Sequence, residues 1–221
     1  ATNRLRGIYA TKATDGTVIT FAGDQGKLYK LDNSDFSLDQ TNTGYTVTSD
    51  MYWDFVRFGD EVIAAGSDSD TLQGFTIGTD SVFASVSGAP AARHLAVIRD
   101  FVVTANVTYS SATYRSRVRW SAINDATSWT IGTNQADFQD IPDAGHITGL
   151  VGGEFGVVLL EQAIARMQYV GSPLIFTFEK VETGHGCNYP NSIASLGPTQ
   201  VFYLADDGFF MFDGQRSIPI G

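Results

Sequence analysis

Five short apolar runs decide the reading of this chain: Val18-Ile-Thr-Phe21, Val62-Ile-Ala-Ala65, Phe101-Val-Val-Thr104, Val157-Val-Leu-Leu160 and Val201-Phe-Tyr-Leu204. Each is strand-length, rich in β-branched and aromatic residues, and bounded by Gly, Asp, Asn or Ser. Their starts lie 44, 39, 56 and 44 residues apart. A second run follows each one: Lys27–Lys30, Thr71–Phe75, Arg117–Trp120, Ala163–Met167 and Phe209–Phe212. An apolar segment precedes each one: Gly7–Tyr9, Trp53–Val56, Leu95–Ile98, Ile147–Leu150 and Ser192–Ser195. A weaker fourth segment closes most units, as in Phe36–Leu38, Ser81–Val86 and Phe176–Lys180.

Three or four strands every 40–55 residues is the arithmetic of an all-β β-propeller, with about five blades visible. A single blade is too small to bury its own faces, so stacking around an axis has to supply the core. The connections agree, because Gly23-Asp-Gln-Gly26 and Asp206-Asp207-Gly208 suit tight turns that need positive φ. The 56-residue interval holds an elongated hairpin at Tyr109–Tyr114 and a loop over Gly132–Gly145. Gly156–Tyr169 has a partly helical spacing, but the glycines before it and its β neighbours predict a hairpin turning at Glu161–Gln162. Four full units and most of a fifth are expected, in one domain over residues 1–221. A β-sandwich is the plain alternative. The chain does not start with Met and stops at Ser217-Ile-Pro-Ile-Gly221 without a closing element, which predicts truncation at both ends.

Composition narrows the chemistry. With 24 acids against 14 bases the net charge is −10, which argues against a surface that grips phosphates. A single cysteine, Cys187, leaves no disulfide framework. No apolar run approaches the ~18 residues of a membrane helix.

Candidate chemical sites are few. His94, His146 and His185 have no metal-ligand spacing, although His94 and His146 start neighbouring blades and face one axis on this reading. Cys187 lies two residues from His185, yet no oxyanion-hole turn is near. Glu154, Glu161, Glu179 and Glu182 fall in one blade, and Asp137, Asp140 and Asp143 precede it in what reads as a solvated loop. A glycosidase pair among these acids needs contrasting environments that spacing does not reveal. Ser67-Asp-Ser-Asp70 lacks the glycine and distal glutamate of a calcium loop and reads as a polar hairpin tip. Asn106-Val-Thr108 matches the glycosylation tripeptide, which carries weight only in a secreted chain. No catalytic residue, metal or cofactor is expected. Arg115, Arg117 and Arg119, spaced by two, predict a basic stripe on one strand face with Val118 and Trp120 opposite. They are the candidate interface residues, for an acidic neighbour or a local phosphate. The plainer reading pairs them with acids across strands.

The second half resembles a known family. The residues are Arg117-Val-Arg-Trp-Ser-Ala-Ile-Asn-Asp-Ala-Thr-Ser-Trp129, Ala136–Asp140, Gly149–Gly156, Ala165–Gly171 and Phe202–Gly214. They resemble propeller-bearing tail hub or nozzle proteins of short-tailed bacteriophages, which include the packaged-DNA stabilisation protein. The resemblance implies a structural virion protein rather than an enzyme. It implies a homo-oligomeric, sixfold ring below the portal and its adaptor, assembled in the host cytoplasm, extending the DNA exit channel. Duplex DNA passes through without sequence-specific binding. The family offers no catalytic motif to transfer. An acidic conduit wall is expected to repel phosphates, with the arginine stripe at a subunit contact. The competing reading is a propeller that binds a host glycan or surface protein through Tyr52, Trp53, Tyr109 and Tyr114. A glycan hydrolase is the third class.

Overall fold

The computed structural model describes residues 3–221 as five antiparallel sheets, joined in chain order. Blade I holds β1 (Gly7–Lys12), β2 (Val18–Gly23), β3 (Lys27–Leu31) and β4 (Leu38–Thr43), paired in sequence order. Blade II holds β5 (Asp54–Phe58), β6 (Glu61–Ala65), β8 (Gln73–Thr76) and β9 (Ala84–Ser85). Between its second and third strands the chain leaves to form β7 (Ser67–Thr71), which joins blade III instead. Blade III adds β10 (Ala91–Ile98), β11 (Phe101–Tyr109), β12 (Ala112–Trp120) and β13 (Asp137–Asp140). Blade IV holds β14 (Ile147–Val151), β15 (Gly156–Leu160), β16 (Ala163–Gly171) and β17 (Ile175–Thr183). Blade V holds β18 (Ala194–Ser195), β19 (Val201–Ala205), β20 (Gly208–Phe212) and β21 (Ser217–Pro219). The first strands of the blades, β5, β10 and β14 among them, contact one another and form the inner side of the arc.

The five apolar runs are the second strands β2, β6, β11, β15 and β19. Their unbroken hydrophobicity has a simple cause: an interior blade is packed on both faces, so both alternating sets of side chains are buried. In β15, Val158 and Leu160 join the core shared with blade III, while Val157 and Leu159 join the core shared with blade V. In β6, Val62 and Ala64 face blade I, and Ile63 and Ala65 face blade III. The core is thus four clusters, one per junction between consecutive blades. Among the described residues no core cluster and no hydrogen bond joins blade V to blade I.

Three sequence expectations change. The polar stretch Ser67–Asp70 is a strand, not a hairpin tip: it pairs with β10, and Asp68 holds Arg93. The loop expected over Gly132–Gly145 contains β13, whose residues pair with Arg117–Trp120 and complete blade III. Blade V has all four strands, because Ser217–Pro219 pairs with β20. Turns fall where expected, including β15–β16 at Glu161–Gln162. The β11–β12 hairpin turns on Ser110 and Ser111, both at positive φ, without glycine. No helix among the described residues is long and apolar enough to cross a membrane.

Candidate functional site

A cavity of about 340 Å³ opens where the inner strands of blades II, III and IV begin, with the loop before β18 on its rim. Among its buried polar groups is Asn106, which sits at an irregularity between β11 and β12. The register there shifts between Ala105 and Val107, and Asn106 takes φ 55°, a left-handed conformation that Asn tolerates better than most residues. Its Nδ2 donates to the Ile147 carbonyl at 3.1 Å, so the amide oxygen is the free end. That Oδ1 is buried and has no partner among the described residues, in a residue only 5% exposed. Glycosylation at Asn106 is sterically shut off in this fold.

Asp54, the first residue of β5, lies across the cavity and accepts the Leu95 amide at 3.0 Å. Burial pushes its carboxyl up to about 6, against a smaller opposing effect of the hydrogen bonds from Leu95 and Phe55. Burial likewise pushes His94, on β10, down to about 4, with the neighbouring Arg93 charge adding to the fall. At neutral pH His94 is therefore an uncharged imidazole. Arg93 is committed elsewhere, bonding Asp68 through Nε at 2.9 Å and Nη2 at 2.7 Å, and Asp50 at 3.2 Å. Glu161 accepts the His146 amide at 3.0 Å and faces its imidazole Nδ1 at 3.5 Å. Arg115 also lines the cavity, exposed, and makes no ion pair or side-chain hydrogen bond among the described residues.

His94 and His146 line one cavity, while His185 sits apart against Asp207 and the Phe210 ring. No group of three His, Cys, Asp or Glu among the described residues is placed to hold a metal. Cys187 does not pair with His185; its buried thiol contacts the Tyr189 carbonyl and the Ser192 hydroxyl, and burial pushes its pKa up. Glu161 is tied to His146, and Glu182 accepts the Ser217 amide at 2.9 Å.

The arginines expected as one stripe are divided. The irregularity around Asn106 separates Arg115 from its neighbours and sends it to the cavity. Arg117 bonds Asp140, and its guanidinium lies over the Tyr114 and Phe138 rings. Arg119 is 2% exposed, donates to the Trp129 carbonyl at 2.7 Å and lies over the Tyr109 ring. Two of the three charges are thus used inside blade III. Of the aromatic candidates, Trp53 is core, its indole N–H donating to the Asp24 carbonyl, and only Tyr52 reaches the cavity with a free ring. Asp54 and Arg93 carry no sequence signal of their own. Their neighbours across the cavity come from other blades, far away in the chain.

No sequence-family model matches the chain, nor does any curated protein. Solved structures do. A virginiamycin B lyase from Staphylococcus aureus, the inactive H270A form with quinupristin, is 12% identical with a TM-score of 0.56; the match covers 100% of this chain and 72% of that one. BBS1N in complex with ARL6DN is 12% identical with a TM-score of 0.51, over 92% of this chain and 63% of that one. The Pan2 WD40 domain of Neurospora crassa is 10% identical with a TM-score of 0.51, over 98% and 65%. The chain therefore spans under two thirds of BBS1N and of the Pan2 domain. At such identities the likeness speaks of architecture alone, and that architecture is a β-propeller.

Proposed function

We propose that this chain is a structural assembly module of a short-tailed phage tail, a hub or nozzle component that extends the DNA exit channel and retains packaged DNA. The observation that carries the assembly reading is the outer face of blade V. β19 has the same unbroken apolar pattern as the interior second strands, but only Val201, Tyr203 and Ala205 meet blade IV. Phe202 and Leu204 point the other way, cross-strand from Met211 and Phe209. Ile218 extends this face, Leu196 is 76% exposed and Phe209 58%. A contiguous apolar sheet face of this kind calls for cover, by a further blade or by another chain, and the assembly reading takes the second. The tail identity draws on the resemblance of Arg117–Trp129 and the segments after it.

The charge supports the conduit role, since a wall of net negative sign repels the phosphates of passing DNA. The internal bonding of Arg117 and Arg119 works in the same direction, leaving few cations free. Copies of the chain in a ring, the portal adaptor and other tail proteins are the partners on this reading. Electron microscopy of the full-length protein tests it. Rings with a channel wide enough for duplex DNA are expected. Monodisperse monomers at every concentration would overturn it.

A further inference from the structure

The cavity at the inner strands of blades II, III and IV has the size and polar lining of a ligand site, and this does not rest on the tail assignment. At about 340 Å³ it lies at the lower end of the ~300–1,000 Å³ range of small-molecule pockets. Asn106 Oδ1, buried without a partner, requires an O–H or N–H donor. Asp54 offers carboxyl oxygens from the other side of the cavity, and His94 a neutral imidazole. Both recognise hydroxyls. Arg115 adds an uncommitted guanidinium, which binds a carboxylate at two points. Tyr52, 40% exposed, supplies a flat apolar surface for the C–H face of a ring. A simple anion leaves the Asn106 oxygen unmatched, and a neutral polyol leaves Arg115 unmatched. A ring that carries both hydroxyls and one carboxylate engages Asn106, Asp54, His94 and Arg115 together. The two other carboxylates of the lining are already held, Asp50 by Arg93 at 3.2 Å and Glu161 by the His146 amide at 3.0 Å.

We propose that this cavity binds a single acidic sugar residue, with its carboxylate on Arg115 and its ring hydroxyls on Asn106, Asp54 and His94.

Titration calorimetry with sodium glucuronate, alongside glucose, acetate and trigalacturonate, tests the assignment. Glucuronate is expected to bind more tightly than either glucose or acetate. Arg115→Gln, at an exposed side chain without partners, should keep the fold and weaken glucuronate by about tenfold or more. Asn106→Gly, which keeps the left-handed backbone, should weaken glucuronate and glucose alike. Tighter trigalacturonate binding points to a polysaccharide residue, and weaker binding to a free sugar acid. Acetate matching glucuronate, no heat with any sugar, or unchanged affinity in folded Arg115→Gln would each overturn the site.

Discussion

Arg117 and Asp140 form a two-point ion pair across β12 and β13, Nε to Oδ1 at 2.7 Å and Nη2 to Oδ2 at 2.8 Å. The guanidinium is held between the Tyr114 ring at 3.7 Å and the Phe138 ring at 3.9 Å. The carboxylate is partly exposed, so its share of the pair is screened, whereas the aromatic contacts are not. Asp140→Ala should therefore cost under about 1 kcal/mol. Arg117→Ala should cost about 2 kcal/mol, because it also removes the stacking. Urea unfolding of both variants checks the order, and equal losses would assign the stability to the ion pair alone.

The junction of blades III and IV depends on backbone approach at Gly152-Gly153. Gly153 donates to the Val97 carbonyl at 3.0 Å and accepts the Arg99 amide at 2.9 Å. A Cβ on Gly152 would collide with the Val97 backbone, which has no flexible end to move aside. Gly152→Ala is expected to destabilise by about 3 kcal/mol or more. Gly16→Ala meets no neighbour and suffers only its positive φ, so about 1 kcal/mol is expected there. Thermal melts of the two variants give the comparison.

Asp54 and His94 pull the pH dependence of stability in opposite directions. Asp54 is raised from 3.8 to about 6, so the folded state holds a proton that the unfolded state has lost, and stability falls as pH rises through that window. His94 is lowered from 6.5 to about 4, so the unfolded state holds the extra proton, and stability rises with pH between those values. The two largely cancel between pH 4 and 6. Asp54→Asn should expose the His94 contribution, adding a slope on the order of 1 kcal/mol per pH unit relative to the parent chain. Chemical denaturation at pH 4.5, 5.5 and 6.5 reads it directly.

Blade V's outer face predicts a split between stability and association. Phe209 is 58% exposed, so Phe209→Gln should change the unfolding free energy by under about 0.5 kcal/mol. The same change should lower concentration-dependent association in sedimentation experiments. If association is unaltered, this face is not where neighbours meet.

Cys187 is fully buried and its thiol is pushed above the ordinary range. Native protein should react with a disulfide reagent orders of magnitude more slowly than unfolded protein. Labelling with and without denaturant tests this, and fast native labelling would show that the blade IV–V core opens.

Legibility differed by element. The second strands were plain in the sequence because two-sided burial forces unbroken apolar runs, as in Val157–Leu160. Their spacing gave the blade count. β7 and β13 were not legible, since Ser67–Asp70 and Asp137–Asp140 are polar edge strands whose pairing depends on Arg93 and Arg117. The arginine spacing was visible, but a two-residue period assumes a regular strand, and the irregularity at Asn106 breaks it.

Alternation, turn residues and repeat length are local properties, so the chain by itself determined the fold class and the second-strand positions. The cavity was decided by tertiary structure alone. Asn106, Asp54, His94 and Arg115 come from two blades and acquire common surroundings only when the blades stack. Burial then sets Asp54 near 6 and His94 near 4, a consequence of desolvation that no spacing encodes.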